Sequence, residues 1–355
     1  MTNKASIIIG TILFGLLGFL MYQDAQINTK RSTEKSYSKQ YGIHTTGYEN
    51  GKKVYEVESN EVKQKSYRHI MFVDELLNGN IYNKNETAVV RNISGRKGRI
   101  NSHLKSILVT GNITAIIEPT TSTKSIDVTA NGFRYIHKQK KSSFFDQITL
   151  IIDDKTLTAP LFNYYSNNET AIFPESLTIQ SNHSNTISDR AIIKINDSQI
   201  IATNNIKTVY QKAATASDSK QLQDLLKSKT TITAQEMNLD FSDNDFSIIE
   251  YKTDVTVSQS DKSLTSDQIY LNFKDDIFES NKNITIIFNS LQWSINKNKT
   301  IMNTAIKDML TKKTTIQSDY ASFDPNNNII TFKHSVIAKQ TNFKLICDAM
   351  TYDIK

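Results

Sequence analysis

Three stretches of the chain repeat one order of apolar and polar residues, and that order restricts the fold more than any single residue does. They are Ile107-Leu-Val109-Thr-Gly-Asn-Ile113-Thr-Ala115, Ile249-Glu-Tyr251-Lys-Thr-Asp-Val255-Thr-Val257 and Ile330-Thr-Phe332-Lys-His-Ser-Val336-Ile-Ala338. In each, two apolar residues spaced by two precede a polar triplet, and two more spaced by two follow it. A strand sends alternate side chains to one face, so every copy carries one apolar side. The triplet reads as a tight reversal, which makes each copy a hairpin. Ala171-Ile-Phe173-Pro-Glu-Ser-Leu177-Thr-Ile179 has the same order, with Pro174 in the turn. Repeats of this kind build stacked or curled sheets around a shared apolar interior.

The 355 residues leave room for about two domains. With 38% hydrophobic residues and a net charge of +6, most of the chain is expected to fold. The lone Cys347 excludes an internal disulfide and a cysteine-based zinc site. Residues 5–21 are uncharged and rich in Ile, Leu and Phe, and Tyr22 follows as an interfacial aromatic. This reads as an uncleaved transmembrane helix within residues 1–24, with the bulk of the chain outside the cytoplasm. Residues 25–44 are polar and read as a tether. A first β unit spans 45–211, opening with a turn at Glu49-Asn50-Gly51. Within it, Pro160 predicts an edge strand or a bulge. Residues 212–228 read as a short helical linker capped by Ser217 or Asp218, and 301–310 as a second helix with one apolar stripe. A second β unit spans 229–355 and is internally duplicated. Lys229 to Asp240 matches Lys313 to Asp324, and Leu264 to Leu271 matches Leu345 to Tyr352.

These residues resemble the OstA-like repeat of lipopolysaccharide transport proteins. The likeness is closest over Thr314 to Ile354, through Ile316-Gln-Ser-Asp-Tyr-Ala-Ser-Phe-Asp324, Ile330-Thr-Phe332 and Val336-Ile-Ala-Lys-Gln340. The family favours Gly-Asn at the central turn; Gly111-Asn112 keeps it, whereas His334-Ser335 departs from it. An anchor followed by Tyr55-Glu-Val57-Glu-Ser-Asn-Glu and this pattern is similar to the LptC family, and the C-terminal module is similar to the LptA family. The resemblance implies an all-β fold: an N-terminal transmembrane helix, then two OstA-like β-jellyroll units joined by the short helical linker. It implies a single-pass inner-membrane protein with its bulk in the periplasm, carrying lipid A acyl chains in an apolar β-groove. The implied partners are lipopolysaccharide, the permease and ATPase subunits of an ABC transporter, and a soluble periplasmic bridge protein joined by edge-strand pairing.

On that reading the groove candidates are Ile107, Val109, Ile113, Ala115, Ile249, Tyr251, Val255, Val257, Ile330, Phe332, Val336 and Ala338. The same residues also suit the ordinary core of a sandwich. Arg96, Lys97 and Arg99 are candidates for phosphate or glycan contacts, and the run from His137 to Lys141 is a second basic cluster. The six histidines are scattered with no i, i+4 pair, so no metal is expected. No glycine-rich phosphate loop follows a strand and no Gly-x-Ser-x-Gly elbow is present, so neither a cofactor nor enzymatic activity is expected. Asp153-Asp154 and Asp275-Asp276 sit at turn-like positions. A pI near 9.0 without a dense basic run points to no nucleic acid. The alternative readings are a membrane-tethered β-repeat scaffold or interaction protein that carries no lipid, and an enzyme acting on envelope glycan.

Overall fold

The computed structural model describes residues 37–65, 69–120, 125–211, 229–242, 248–259, 262–275, 277–288, 313–324, 329–341 and 343–353. The predicted transmembrane helix, the helical linker and the 301–310 helix lie outside these residues. Among the described residues no helix is long and apolar enough to cross a membrane.

The described chain is a succession of antiparallel strands. The first eight are β1 (Tyr37–Glu49), β2 (Lys52–Lys65), β3 (Ile70–Tyr82), β4 (Ala88–Asn101), β5 (Ser106–Ile117), β6 (Ile126–Ile136), β7 (Lys141–Ile152) and β8 (Lys155–Tyr165). Four short ones follow: β9 (Thr170–Phe173), β10 (Leu177–Gln180), β11 (Ser184–Ser188) and β12 (Arg190–Lys194). The remainder are β13 (Gln199–Tyr210), β14 (Thr230–Asp240), β15 (Ile248–Gln259), β16 (Lys262–Asn272), β17 (Ile277–Phe288), β18 (Thr314–Asp324), β19 (Ile329–Gln340) and β20 (Phe343–Asp353). One 3₁₀ turn, η1 (His137–Gln139), separates β6 from β7.

Each strand from β1 to β8 pairs with the next. β8 then divides its partners: Thr156 to Thr158 pair with β10, and Asn163 to Tyr165 pair with β9. β9 and β10 are therefore one strand position broken at Pro174. β11 and β12 form a second such position, broken at Asp189, and both pair with β13. From β13 to β20 the meander is again consecutive. Pro160 lies inside β8, where pairing passes from β10 to β9 and where β7 steps in register between Phe145 and Ile148. It occupies a gap in the ladder rather than an edge, so its missing N–H leaves no acceptor unmet.

The polar triplets are not hairpin turns. Thr110-Gly111-Asn112 lies within β5, Lys252-Thr253-Asp254 within β15 and Lys333-His334-Ser335 within β19. The two halves of each strand do not pair with one another; both pair with the flanking strands, with a register step at the triplet. Two successive left-handed residues mark the step: Gly111/Asn112, Asp146/Gln147, Asn204/Asn205, Thr253/Asp254, Lys282/Asn283 and His334/Ser335. They recur on alternate strands and line up as one crease across the sheet. Bulges of this type bend strands and carry them from one layer to another. On other strands the crease has its own side-chain hydrogen bonds. Asn131 Nδ2 donates to Gln147 Oε1 (3.1 Å), Asn205 Nδ2 to Asp189 Oδ2 (2.6 Å) and Asn283 Nδ2 to Asp267 Oδ2 (2.7 Å). Asn and Asp also tolerate the left-handed conformation better than most residues.

The crease gives two layers. The first holds the N-terminal halves of the odd-numbered long strands and the C-terminal halves of the even ones; the second holds the rest. Tyr251, before the crease of β15, donates its hydroxyl to Thr208 Oγ1 at 3.0 Å. Thr208 lies beyond the crease of β13, so this bond joins the inner faces of the two layers. Across the first layer, Val109, Phe133, Phe144 and Phe162 stand opposite one another in successive strands. The row continues through Phe173, with ring centroids 5.0–5.7 Å apart along the four phenylalanines. In the second layer the outer face carries a row of hydroxyls: Thr114, Thr129, Thr149, Thr158 and Thr178 are successive cross-strand neighbours. Threonine suits a pleated, half-exposed surface, and each such pair adds about 0.2–1 kcal/mol.

One core cluster runs from Val54 to Leu271, a smaller one runs from Ile284 to Ala338, and Leu264 packs against both. β13 and β14 pair from Gln199/Asp240 to Tyr210/Thr230, so the sheet is continuous across the segment read as a linker. At the other end β1 begins at Tyr37, and residues 37–44 of the segment read as a tether form a strand. Its polar composition, including Lys39 bound to Glu61 at 2.8 Å, is that of a terminal strand in contact with solvent.

β2 also carries a carboxylate with an acid-sensitive contribution. Glu56 accepts from Lys53 Nζ (2.8 Å), Tyr82 Oη (2.5 Å) and Asn80 Nδ2 (2.9 Å). Burial pushes its pKa up, but these three donors outweigh burial and hold it at about 2. A carboxyl whose folded pKa is depressed stabilises above its unfolded value and loses that contribution as pH falls through the folded one. The urea midpoint should therefore fall between the ordinary glutamate value of about 4.3 and about 2. The slope should be shallower in Glu56→Gln; an unchanged slope would contradict this assignment.

Candidate functional site

The twelve groove candidates occupy equivalent places on β5, β15 and β19. Ile107 and Val109, Ile249 and Tyr251, and Ile330 and Phe332 precede the crease and face inward from the first layer. Ile113 and Ala115, Val255 and Val257, and Val336 and Ala338 follow it and face inward from the second. Ten of the twelve are buried; Val257 and Ile330 are half-buried. The inner rows connect the copies. The row containing Val257 continues through Leu264, Ile286, Ile316 and Ala338 to Leu345. The row containing Tyr251 continues through Ile269, Ser280, Ala321 and Phe332 to Met350. The structure thus brings the later two copies into one interior, and β5 joins it through the phenylalanine row.

That interior is closed over most of its length. Val109, Phe133, Phe144, Phe162, Met237 and Tyr251 are all 0% exposed, so side chains of the two layers fill the space between them. One polar patch in it is satisfied internally: Thr186 and Thr208 share a hydroxyl hydrogen bond of 2.9 Å beside Tyr251, whereas the buried Ser280 hydroxyl on the Tyr251 row has no partner among the described residues. Closure loosens at the C-terminal end. Leu345 stands opposite Ala338 on an inner row yet is 41% exposed, and Cys347 and Met350 are half-buried. A concavity of about 430 Å³ lies elsewhere, on the outer face, lined by Gln147, Thr149, Thr158, Pro160, Ser176 and Thr178.

The basic candidates are not part of the interior. Arg96, Lys97 and Arg99 are exposed on β4, with Lys97 opposite Asp74 and Thr110, and Arg99 opposite Phe72 and Leu108. Asp153 and Asp154 lie in a turn between β7 and β8, where Asp153 has left-handed backbone and Asp154 binds Lys155; Asp276 lies outside the described residues. The backbone N–H of Asp275 donates to Asn272 Oδ1 (3.0 Å). The sequence pointed to Arg96, Lys97 and Arg99 and gave no signal for Gly95 beside them. A Cβ there would sit 2.5 Å from Val109 Cγ1 and 2.7 Å from Ile113 Cδ1. Its missing side chain is what lets candidates from both sides of the crease come together.

Fold and site together define a creased antiparallel β-meander with a shared apolar interior. No family model matches the sequence, and no curated protein does. Among solved structures the chain is similar to LptH of Pseudomonas aeruginosa, described as the LptA homologous periplasmic component of the conserved lipopolysaccharide transport device. The alignment covers 39% of this chain and 80% of that one at 10% identity, with a TM-score of 0.20. A likeness of that size carries no argument about function.

Proposed function

We propose that the chain is a membrane-anchored, non-enzymatic carrier of lipopolysaccharide, taking lipid A acyl chains between its two layers. It would pass them from the inner-membrane ABC transporter towards the outer membrane. The observation supporting this most is the run of the inner rows: from β5 to β20 the inward side chains are mostly apolar, interrupted by Ser280 on the row of Tyr251 and by Thr186 and Thr208 on that of Val257, and they are partly uncovered at β20. Each CH₂ of an acyl chain exposed to water costs about 0.8 kcal/mol, so a lipid with several chains requires a predominantly apolar path. The half-covered end at β20 is where the layers part most easily and is the natural mouth. An anchor within residues 1–24 would hold the first strands at the membrane, permease and ATPase subunits would supply the energy, and a soluble bridge protein would add to a sheet edge.

The closure between β2 and β16 favours a second reading, a membrane-tethered β scaffold that carries no lipid. Leu345→Asp separates the two. The site is already partly wet, so the folded state should lose less than about 1 kcal/mol. A carboxylate on the inner row should nevertheless lower capture of lipopolysaccharide by the full chain in nanodiscs at least about tenfold. No capture by the unsubstituted chain, or equal capture by Leu345→Asp, would favour the scaffold.

A further inference from the structure

At the end of the first layer, beyond the inward-facing Tyr135, three segments meet around one carboxylate. Glu49 ends β1, Lys105 precedes β5, and His137 opens η1 with Lys140 at its C-terminal cap. Lys105 Nζ lies 3.0 Å from Glu49 Oε1. His137 Nε2 lies 2.5 Å and Lys140 Nζ 3.6 Å from Oε2. A carboxylate only accepts, so Nε2 carries the imidazole proton, and Nδ1 accepts the Tyr135 hydroxyl at 2.9 Å. Two ammonium groups and one imidazole N–H thus converge on a volume that a single negative charge fills. Lys140 Nζ is also 2.7 and 3.1 Å from the two ring nitrogens, and Lys138 and Lys141 flank the cluster in sequence.

Two ammonium groups face one carboxylate. Burial lowers the pKa of His137 against its hydrogen bond to Glu49, which raises it, and the charges of Lys140 and Lys105 lower it by less. Burial lowers that of Lys140 against the charge and hydrogen bond of Glu49, with a smaller lowering from Lys105. Glu49 itself is held at about 2, chiefly by its hydrogen bond from His137 and then by that from Lys105. Yet Glu49 is 40% exposed and adjoins a two-residue turn at Asn50 (φ 51) and Gly51 (φ 78), so it can swing into water. A phosphate monoester offers up to three acceptor oxygens and a charge of roughly −2, which suits three convergent donors and two fixed cations better than one carboxylate does.

We propose that Lys105, His137 and Lys140 form a binding site for a phosphate monoester, and that Glu49 is the internal carboxylate occupying it when no ligand is bound. The site stands apart from the interior and does not depend on what the interior carries. A purely structural role, pinning the β1–β2 turn to β5 and η1, makes the opposite prediction for Glu49.

Inorganic phosphate titrated calorimetrically into the full chain at constant ionic strength tests this. Glu49→Gln removes the competing charge and should bind about tenfold more tightly than the unsubstituted chain, whereas Lys105→Gln/Lys140→Gln should bind at least about tenfold more weakly. Phosphatidic acid in detergent micelles, compared with diacylglycerol, distinguishes the sources. Competition with inorganic phosphate identifies a lipid-borne phosphate, and its absence identifies a free one. A folded Glu49→Gln that binds no more tightly, or a lysine double variant that binds as well as the unsubstituted chain, overturns the proposal. Should Glu49→Gln fail to fold, saturating phosphate should still raise the thermal midpoint of the unsubstituted chain and leave that of Lys105→Gln unmoved. No rise in the unsubstituted chain overturns it equally.

Discussion

Phe144→Ala is expected to destabilise the protein by about 3–5 kcal/mol, measured as a shift in the urea unfolding midpoint. Phe144 is 0% exposed and packs between Phe133 and Phe162, with ring centroids 5.0 and 5.7 Å away. Its removal takes away one ring's burial and its tilted ring contacts with both neighbours, and leaves a hole that two sheet-bound strands cannot close. Thr158→Ala, in the next strand but on the outer face, should cost no more than about 1 kcal/mol. Equal losses at the two positions would mean that the inner row is not the packed centre of the fold.

Gly95→Val should have the second large effect, about 1–3 kcal/mol from overpacking. The new Cβ would fall 2.5 Å from Val109 Cγ1 and 2.7 Å from Ile113 Cδ1. Val109 and Ile113 are buried, one on each side of the β5 crease, so neither can swing into solvent. Val109→Ala opens the space that the added side chain needs. The pair Gly95→Val/Val109→Ala should therefore be more stable than the sum of the single losses predicts, by about 0.5–3 kcal/mol. Strict additivity would show that residue 95 does not press on the candidate groove.

The faces of the strands were legible from the chain alone, because alternation fixes which side chains share a side. Ile107, Val109, Ile113 and Ala115 indeed point to one interior. What the polar triplets do was not legible. Two consecutive left-handed residues with Gly, Asn or Asp characterise both a tight hairpin and a corner between layers. The choice between them depends on whether the two halves pair with each other or with other strands, and that information is not local. Asn131, Asp189 and Asp267, which bind the crease residues of the neighbouring strand, carry no signal until the register is known. Pro160 had two readings, and the gap opposite Pro174 selects the bulge. The polar start of β1 resembled a tether because a terminal strand with solvent contact has a linker's composition. Tyr135, His137 and Glu49 lie far apart in sequence, so only the pairing of β1 with β2 and the ordering of η1 bring them together.

Carriage of lipid by this chain requires that hydrocarbon enter between the layers. Its most direct test is a photo-reactive amino acid placed in turn along β19 of the full chain in cells exporting lipopolysaccharide. Adducts should form from Phe332, Val336 and Ala338, which face inward, and not from Lys333, Ser335 or Lys339, which are exposed. Adducts from the exposed set alone, or from both sets equally, would contradict passage through the interior and leave the chain a scaffold.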